Sequence, residues 1–476
     1  MKQVLALSLL LLSPFVIARN KAATLSSQNA TVRFDPSHEG SAKRNNLASA
    51  RSGHHDVLTC SRAPCVLPNV LITANQSDNT ILAANPAKHA QLLAALDQNF
   101  GGICPFGSVS GGTSWYQIQN GNCAGETPSI AYGHKGTAYQ VGSTYNSGIL
   151  LTTTSDNGHT WTSPTGAVPP LFSGGYVSTP WLGIDNSAKS SYSNSLYVAA
   201  TQLDNPQVQS EITVSYSRDG GSTWTMEIVD PVQVEPQVDH YSRVAVAGDG
   251  TVYVTWQRCE MTGRNVNCGG SKAHMWLSKS TDGGNSWSSP VEIATVNLVP
   301  DSCECAFYGN LPHTRDPVAN PPLIAADNSN GTNAGSLYVV LYDWIARQMR
   351  VEVLASRDGG MTWEKPVFVA PPTSKNDEFF PGLSISVAGV VGVNWLDRRS
   401  DPQNVFYQPF AAVSKDGGKS FEQNYRLAKP LSNPFYSSYS MGDYTGNAWA
   451  GKTLFVTWPD TRNAIMQDYV GGLLTN

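Results

Sequence analysis

The sequence predicts an all-β fold, a β-propeller of four-stranded blades, with seven blades favoured over six. Three features point there. An octapeptide of the form Ser-x-Asp-x-Gly-x-Ser/Thr-aromatic recurs down the chain, and strand-like segments of alternating β-branched residues recur between its copies. Glycine and proline are abundant, at 42 and 29 of 476 residues, while only 14% of residues are charged, a balance that suits short strands and many turns rather than long helices.

The intact octapeptides are Ser217–Trp224, Ser280–Trp287, Ser356–Trp363 and Ser414–Phe421, and a further copy around Asp156 has Thr154 in the first position and ends at Trp161. A sixth copy, Ser108–Trp115, carries Ser110 in place of the aspartate. The aspartates at 156, 219, 282, 358 and 416 stand 63, 63, 76 and 58 residues apart, room for one four-stranded blade each. The octapeptide itself is a turn: the carboxylate accepts backbone N–H bonds, glycine allows positive φ, and the aromatic ring wedges between sheets. A second strand follows each first strand, starting near Thr137, Ser195, Thr251, Ser336, Val390 and Thr453, with first strands expected at 129–132, 243–247, 322–326 and 383–388. The last blade, from Tyr439 onward, has no box and runs out of chain, so the segment 66–74 is expected to supply its missing strand and close the ring.

These octapeptides resemble the Asp-box, or bacterial neuraminidase repeat, of the sialidase-like superfamily, and the resemblance covers roughly residues 64 to 476. It implies a propeller whose boxes lie on the face away from any catalytic site. The Arg-Ile-Pro signature of true sialidases has no match, since no arginine lies between Arg62 and Arg218. The resemblance therefore carries over the scaffold and no catalytic residue.

The start of the chain reads as a secretory signal, residues 1–18, with Lys2 followed by the apolar run from Val4 to Leu12. Residues 19–63 read as a flexible leader or pro-segment. Export agrees with eight cysteines and with sequons at Asn29, Asn75 and Asn330. Expected pairings are Cys60 with Cys65 and Cys104 with Cys123, leaving Cys259 and Cys268 to cross-pair with Cys303 and Cys305. A metal held by Cys303, Cys305 and His313 is set aside in favour of disulfides, and no cofactor is expected. With a net charge of -5 and no basic block interleaved with aromatics, nucleic acid is excluded as a partner. No later segment is long and apolar enough to span a membrane, so a secreted monomer acting on a glycan or polysaccharide is the expectation.

Propeller topology sorts residues by face. Loops after second strands bring Arg258, Asp343 with Arg347, Asp397 with Arg398 and Arg399, and Asp460 with Arg462 to the face opposite the boxes. Segments before first strands bring Glu235, Asp239, His240, Tyr241 and Arg243, then His313, Arg315 and Asp316, Asp377 and Glu378, and Asp443 and Tyr444. The repeated Asp-Arg pairs read either as interblade salt bridges or as arginines (Arg243, Arg258, Arg315, Arg398, Arg462) that bind an acidic sugar. As a hydrolase, the protein would use Tyr241 or Tyr444 as nucleophile, Glu235 or Asp443 as its partner, and Asp239 or Asp397 as acid. As a uronate lyase, it would use His240 or Tyr241 to abstract the proton beside an arginine-neutralised carboxylate. A non-catalytic glycan- or protein-binding propeller is the third reading. The tryptophans at 181, 256, 344, 395 and 458 are either sheet core or sugar platforms.

Overall fold

The computed structural model describes residue 60 and residues 62–476, apart from 99–101, 118–124, 145–147, 206–207, 262–267, 269–270, 301–308, 315, 373, 422 and 437–440. Seven antiparallel sheets follow one another along the chain. Their first strands are Asp78–Ala84, Glu126–Tyr132, Tyr176–Ile184, Gln237–Val246, Leu323–Ala326, Glu378–Ile385 and Gly446–Ala450, which we number as blades one to seven. Each first strand packs on the next, and the seventh packs back on the first, so they form the innermost ring of a seven-bladed propeller. Apart from a three-residue 3-10 turn at Pro434–Tyr436, the described residues contain no helix.

Blade seven has only three strands of its own, the last being Gln467–Leu474. Its outer edge is completed by Cys65–Val66 and Val70–Leu71, which pair with that strand from the other end of the chain. Pairing the two ends across one sheet removes the open edges that would otherwise limit closure. The expected second strands begin at Ala138, Leu196, Val252, Leu337, Val391 and Thr453, each within a residue of the position the alternation marks.

The octapeptides all sit between third and fourth strands and share the hydrogen bonds to their first hydroxyl and to the Asp or Ser in the third position, which the indole N–H joins in Trp115 and Trp224. In Ser217–Trp224, Gly221 N donates to Ser217 Oγ at 2.8 Å, Thr223 N and Oγ1 donate to the Asp219 carboxylate at 2.9 and 2.7 Å, and Trp224 Nε1 donates to Gly221 O at 3.1 Å. The degenerate copy keeps the pattern with a hydroxyl, Ser114 N donating to Ser110 Oγ at 3.0 Å. Neighbouring turns are tied around the ring, for Arg218 reaches Gly283 O, Lys279 Nζ reaches Gly359 O at 3.0 Å, and Arg357 reaches Gly417 O.

The first strands start earlier than expected. In five blades a register shift interrupts the pairing of first with second strand, and a residue with positive φ sits in it: Asn79, Thr127, Thr179, Tyr241 and Phe380. A bulge adds a residue and breaks the alternation of two, so the part of the strand before it does not read as strand in the sequence. Residues 237–242, expected to lie ahead of a strand, are therefore in it.

Two disulfides are described. Cys60–Cys65 is as expected, whereas Cys259 pairs with Cys268 rather than with Cys303 or Cys305. Cys259 ends a second strand and Cys268 lies across the same hairpin, with Cα atoms 5.9 Å apart, so the short loop closes on itself. Cys123, Cys303, Cys305, Asn29, Tyr439, Arg315 and the expected signal segment lie outside the described residues. Asn75 and Asn330 are exposed.

Candidate functional site

The face opposite the octapeptide turns carries four kinds of arginine arrangement. The Asp-Arg pairs after second strands in blades six and seven are closed local units, not interblade bridges. The Asp397 carboxylate accepts from Trp395 Nε1 at 2.7 Å, Arg399 N at 2.7 Å and Arg399 Nη2 at 2.6 Å. Asp460 repeats this with Trp458 at 2.9 Å and with Arg462 through Nε at 2.9 Å and Nη2 at 2.6 Å. The Arg399 and Arg462 guanidiniums also lie over Phe410 and Tyr469, at 4.4 and 4.0 Å. Trp395 and Trp458 are fully buried, which explains why these sequences recur: they cap blade cores.

Two other arginines do bridge blades. Arg258 clamps Asp239 of its own blade with Nε at 2.7 Å and Nη2 at 2.9 Å, while also reaching Asp230 at the end of blade three. Arg350 of blade five stands 3.2 Å from Glu378 of blade six. Burial with Asp397 close by pushes the Glu378 carboxyl up to about 8. Arg398, also buried, donates to Pro312 O at 2.8 Å, with Asp377 3.5 Å away. The sequence-expected acids Asp239 and Asp397 are thus engaged in ion pairs. Glu235 occupies an exposed turn, its N–H donating to Val208 O at 3.0 Å.

Arg243 is different. Its side chain is 1% exposed, and no salt bridge to it occurs among the described residues. Nη1 donates to Ser242 O at 2.9 Å, and Nε has no partner. The guanidinium lies 4.5 Å from the ring of Trp181 in blade three and 5.9 Å from that of Tyr444, just ahead of blade seven. Blade four can touch the entry to blade seven only across the central channel, so Arg243 lies on the axis. Tyr444 spans the same space, its hydroxyl donating to Pro128 O of blade two at 2.8 Å. Burial lowers the Arg243 guanidinium to about 10, an effect opposed by Tyr444, Tyr241 and Asp443.

The same burial shifts the surrounding titratable groups toward their neutral forms. His240 is lowered to about 4, and its ring stands 5.1 Å from that of Tyr241. Burial raises Asp443 to about 6, with Arg243 pulling the other way. Asp468, fully buried, is raised to about 7, and Asp97 to about 6, in both cases by burial first and neighbouring carboxylates second. Asp78 is pushed up by burial and then by Asp97, Asp468, Asp443 and Glu126. Of the residues the sequence marks, the structure thus brings together Arg243, His240, Tyr241, Asp443 and Tyr444. Asp78, Asp97 and Asp468 join them without a sequence signal, because only ring closure sets blade seven against blade one.

Gly442 and Gly446 show how tight that closure is. A Cβ on Gly442, where φ is 82°, would lie 2.6 Å from Asn79 N, and one on Gly446 would lie 2.7 Å from Ile81 Cα. The glycines of Met441–Gly446 thus lie against blade one's innermost strand. No metal-binding group of three or more His, Cys, Asp or Glu residues occurs among the described residues.

No protein-family model matches this chain, and no curated protein matches it in sequence. Solved structures match its fold. A polysaccharide lyase of family PL25, an ulvan lyase, is 11% identical with a TM-score of 0.50 over 85% of this chain and 95% of its own. A Dyadobacter fermentans protein of unknown function is 12% identical with a TM-score of 0.48 over 86% and 98%. An α-L-arabinanase of Penicillium chrysogenum is 12% identical with a TM-score of 0.44 over 86% and 98%. At its 11% identity, what the ulvan lyase shares with this chain is the architecture of the β-propeller; the chain is a seven-bladed β-propeller, and the arginine buried at its axis makes no salt bridge among the described residues.

Proposed function

We propose that the protein is an exported carbohydrate-active enzyme that binds an acidic sugar of a glycan at the axis, with Arg243 receiving the acid group. The observation that carries this reading is the buried Arg243 guanidinium, which makes no salt bridge among the described residues although Asp443 lies close enough to act on it. Burying an unpaired ion costs several kcal/mol by the general magnitude for proteins, and Arg258, Arg350, Arg399 and Arg462 all avoid that cost by pairing. A bound carboxylate would supply the missing partner with bidentate geometry. With so little of it exposed, the guanidinium is reached only if the partly exposed Trp181 or its neighbours shift on binding. The ulvan lyase of the same architecture has been seen bound to -[GlcA(1-4)Rha3S]-, so such a propeller can hold an anionic polysaccharide.

In the hydrolase reading, Asp443 carries the proton at mildly acidic pH and donates it to the glycosidic oxygen as the bond to the sugar breaks. Tyr241 or Tyr444 would be the nucleophile; burial holds the Tyr444 phenol far above its usual range, and its hydroxyl donates to Pro128 O. One observation favours a uronate lyase instead: His240 is neutral at pH 7 and beside Tyr241, as a base for the proton next to the sugar carboxylate requires. Assay of the purified protein on sialosides, polyuronates and neutral plant glycans separates the two. Reducing ends alone support hydrolysis, and reducing ends with unsaturated-uronate absorbance support elimination. Silence on all of them, with no binding, would overturn both.

A further inference from the structure

The face opposite the octapeptide turns holds a cleft whose lining includes none of the axial group Arg243, His240, Tyr241, Asp443 and Tyr444. It encloses about 330 Å³ between the loop ahead of blade five (Val299, Pro300, Pro312, His313), the tip of the blade-five hairpin (Trp344, Arg347) and Asn404 of blade six. Ile345 pairs with Gln348, so the hairpin turns on two residues, Ala346 and Arg347, with φ of 51° and 67°. Both are left-handed, the conformation that Asn-Gly fills with least strain in such a loop. Non-glycine residues held this way cost on the order of 1–3 kcal/mol each, and His313 across the cleft has φ 67° as well.

That backbone holds Arg347 at the cleft. Arg347 is exposed and makes no ion pair among the described residues, while the nearby Asp343 accepts from Asn297 N at 2.8 Å and Nδ2 at 3.2 Å. Trp344 adds an aromatic surface. Of the strand tryptophans, 256, 395 and 458 are fully buried core, whereas Trp344, like Trp181, Trp276 and Trp449, is partly exposed. An indole, a guanidinium without an ion pair among the described residues and an imidazole lining one cleft are a set that takes a sugar ring on the indole face and an anionic group at its edge.

We infer that this cleft is a second subsite for a sugar bearing a carboxylate or sulfate, with the ring against Trp344 and the acid group on Arg347, supported by His313. The inference rests on the acidic-glycan reading above and extends it: one polymer held at the axis and at the cleft binds more tightly than at either alone. Calorimetric titration of the full chain with a galacturonate hexamer and with a carrageenan hexamer tests it, using wild type, Arg347→Ala, Trp344→Ala, Arg243→Met and the Arg243→Met/Arg347→Ala double variant. Arg347→Ala, Trp344→Ala and Arg243→Met should each weaken the preferred hexamer about 10-fold while leaving measurable binding, and the double variant should lose it. Preference between the hexamers tells carboxylate from sulfate. Equal hexamer affinity in wild type and Arg347→Ala overturns the subsite while leaving the axial reading intact. Binding lost in Arg347→Ala and unchanged in Arg243→Met overturns the axial reading and keeps the subsite. Failure of wild type to bind either hexamer overturns the subsite.

Discussion

The two faces of the propeller use the same residue, aspartate, in opposite ways. On the octapeptide face, Asp219, Asp282 and Asp358 are solvent-exposed, accept several short hydrogen bonds, and are held down at about 2 by them. At the axis and the other face, Asp97, Asp443 and Asp468 are held up at about 6 to 7 by burial. The first arrangement recurs blade after blade; burial also raises Asp239, Asp316 and Glu378 in other blades, but the carboxyls that raise one another, Asp78, Asp97, Asp443 and Asp468, gather where blades seven and one meet. Repetition suits a turn that each blade must make for itself, and a single active site has to break that repetition.

The largest effect expected from this comparison is in two arginines of blade four. Arg258→Met strands Asp239 and Asp230 and should cost about 3–5 kcal/mol in chemical denaturation, as breaking a buried pair generally does. Arg243→Met removes a buried charge that makes no salt bridge among the described residues, so it should leave stability unchanged or raise it while lowering kcat/KM about 100-fold. If Arg243→Met destabilises as Arg258→Met does, Arg243 is structural and the axial site fails.

A smaller effect concerns pH and tests the two aspartate classes together. The axial carboxyls have folded pKa values above their unfolded ones, so their contribution to stability is complete below about pH 4 and is lost as pH rises through about 6 to 7. The turn aspartates have depressed values, so theirs is present above about pH 4 and lost as pH falls through about 2. Tm should therefore peak in mildly acidic solution, and Asp468→Asn should flatten the fall on the alkaline side. A Tm that rises steadily from pH 5 to 8 would contradict this. Under the hydrolase reading, kcat should also fall as pH rises through about 6, where Asp443 loses its proton, and Asp443→Asn should abolish that limb along with activity.

The smallest effect belongs to the repeated turns. Asp416 accepts from Ser420 Oγ at 2.5 Å and from Ser420 N at 3.1 Å, so Asp416→Ala should cost about 1 kcal/mol and leave kcat/KM unaltered. A change in kcat/KM would mean that the two faces are coupled.

Much of the scaffold could be read from sequence because it is built from local instructions. Eight consecutive residues close each turn on themselves, the second strands alternate without interruption, and a last blade one strand short implies closure by the other end of the chain. Reading failed where a feature depends on a partner blade or on an inserted residue. The bulge at Tyr241 hid six residues of a strand, and Cys259 found Cys268 because a hairpin held them together. The repeated Trp-x-Asp-x-Arg units read as candidate sugar contacts, yet their buried indoles and satisfied carboxylates make them core caps. Arg243, Asp443 and Tyr444 were visible one by one, but not as a group.

By itself, then, the sequence determined the repeat, the blade count, the ring closure and the face on which charged side chains gather, since each follows from hydrogen bonds and alternation within a few residues. Tertiary structure alone decided which arginines are paired and which carboxyls keep their protons. Those states depend on burial across the axis, where side chains some 200 residues apart, such as Arg243 and Tyr444, share a space from which water is excluded.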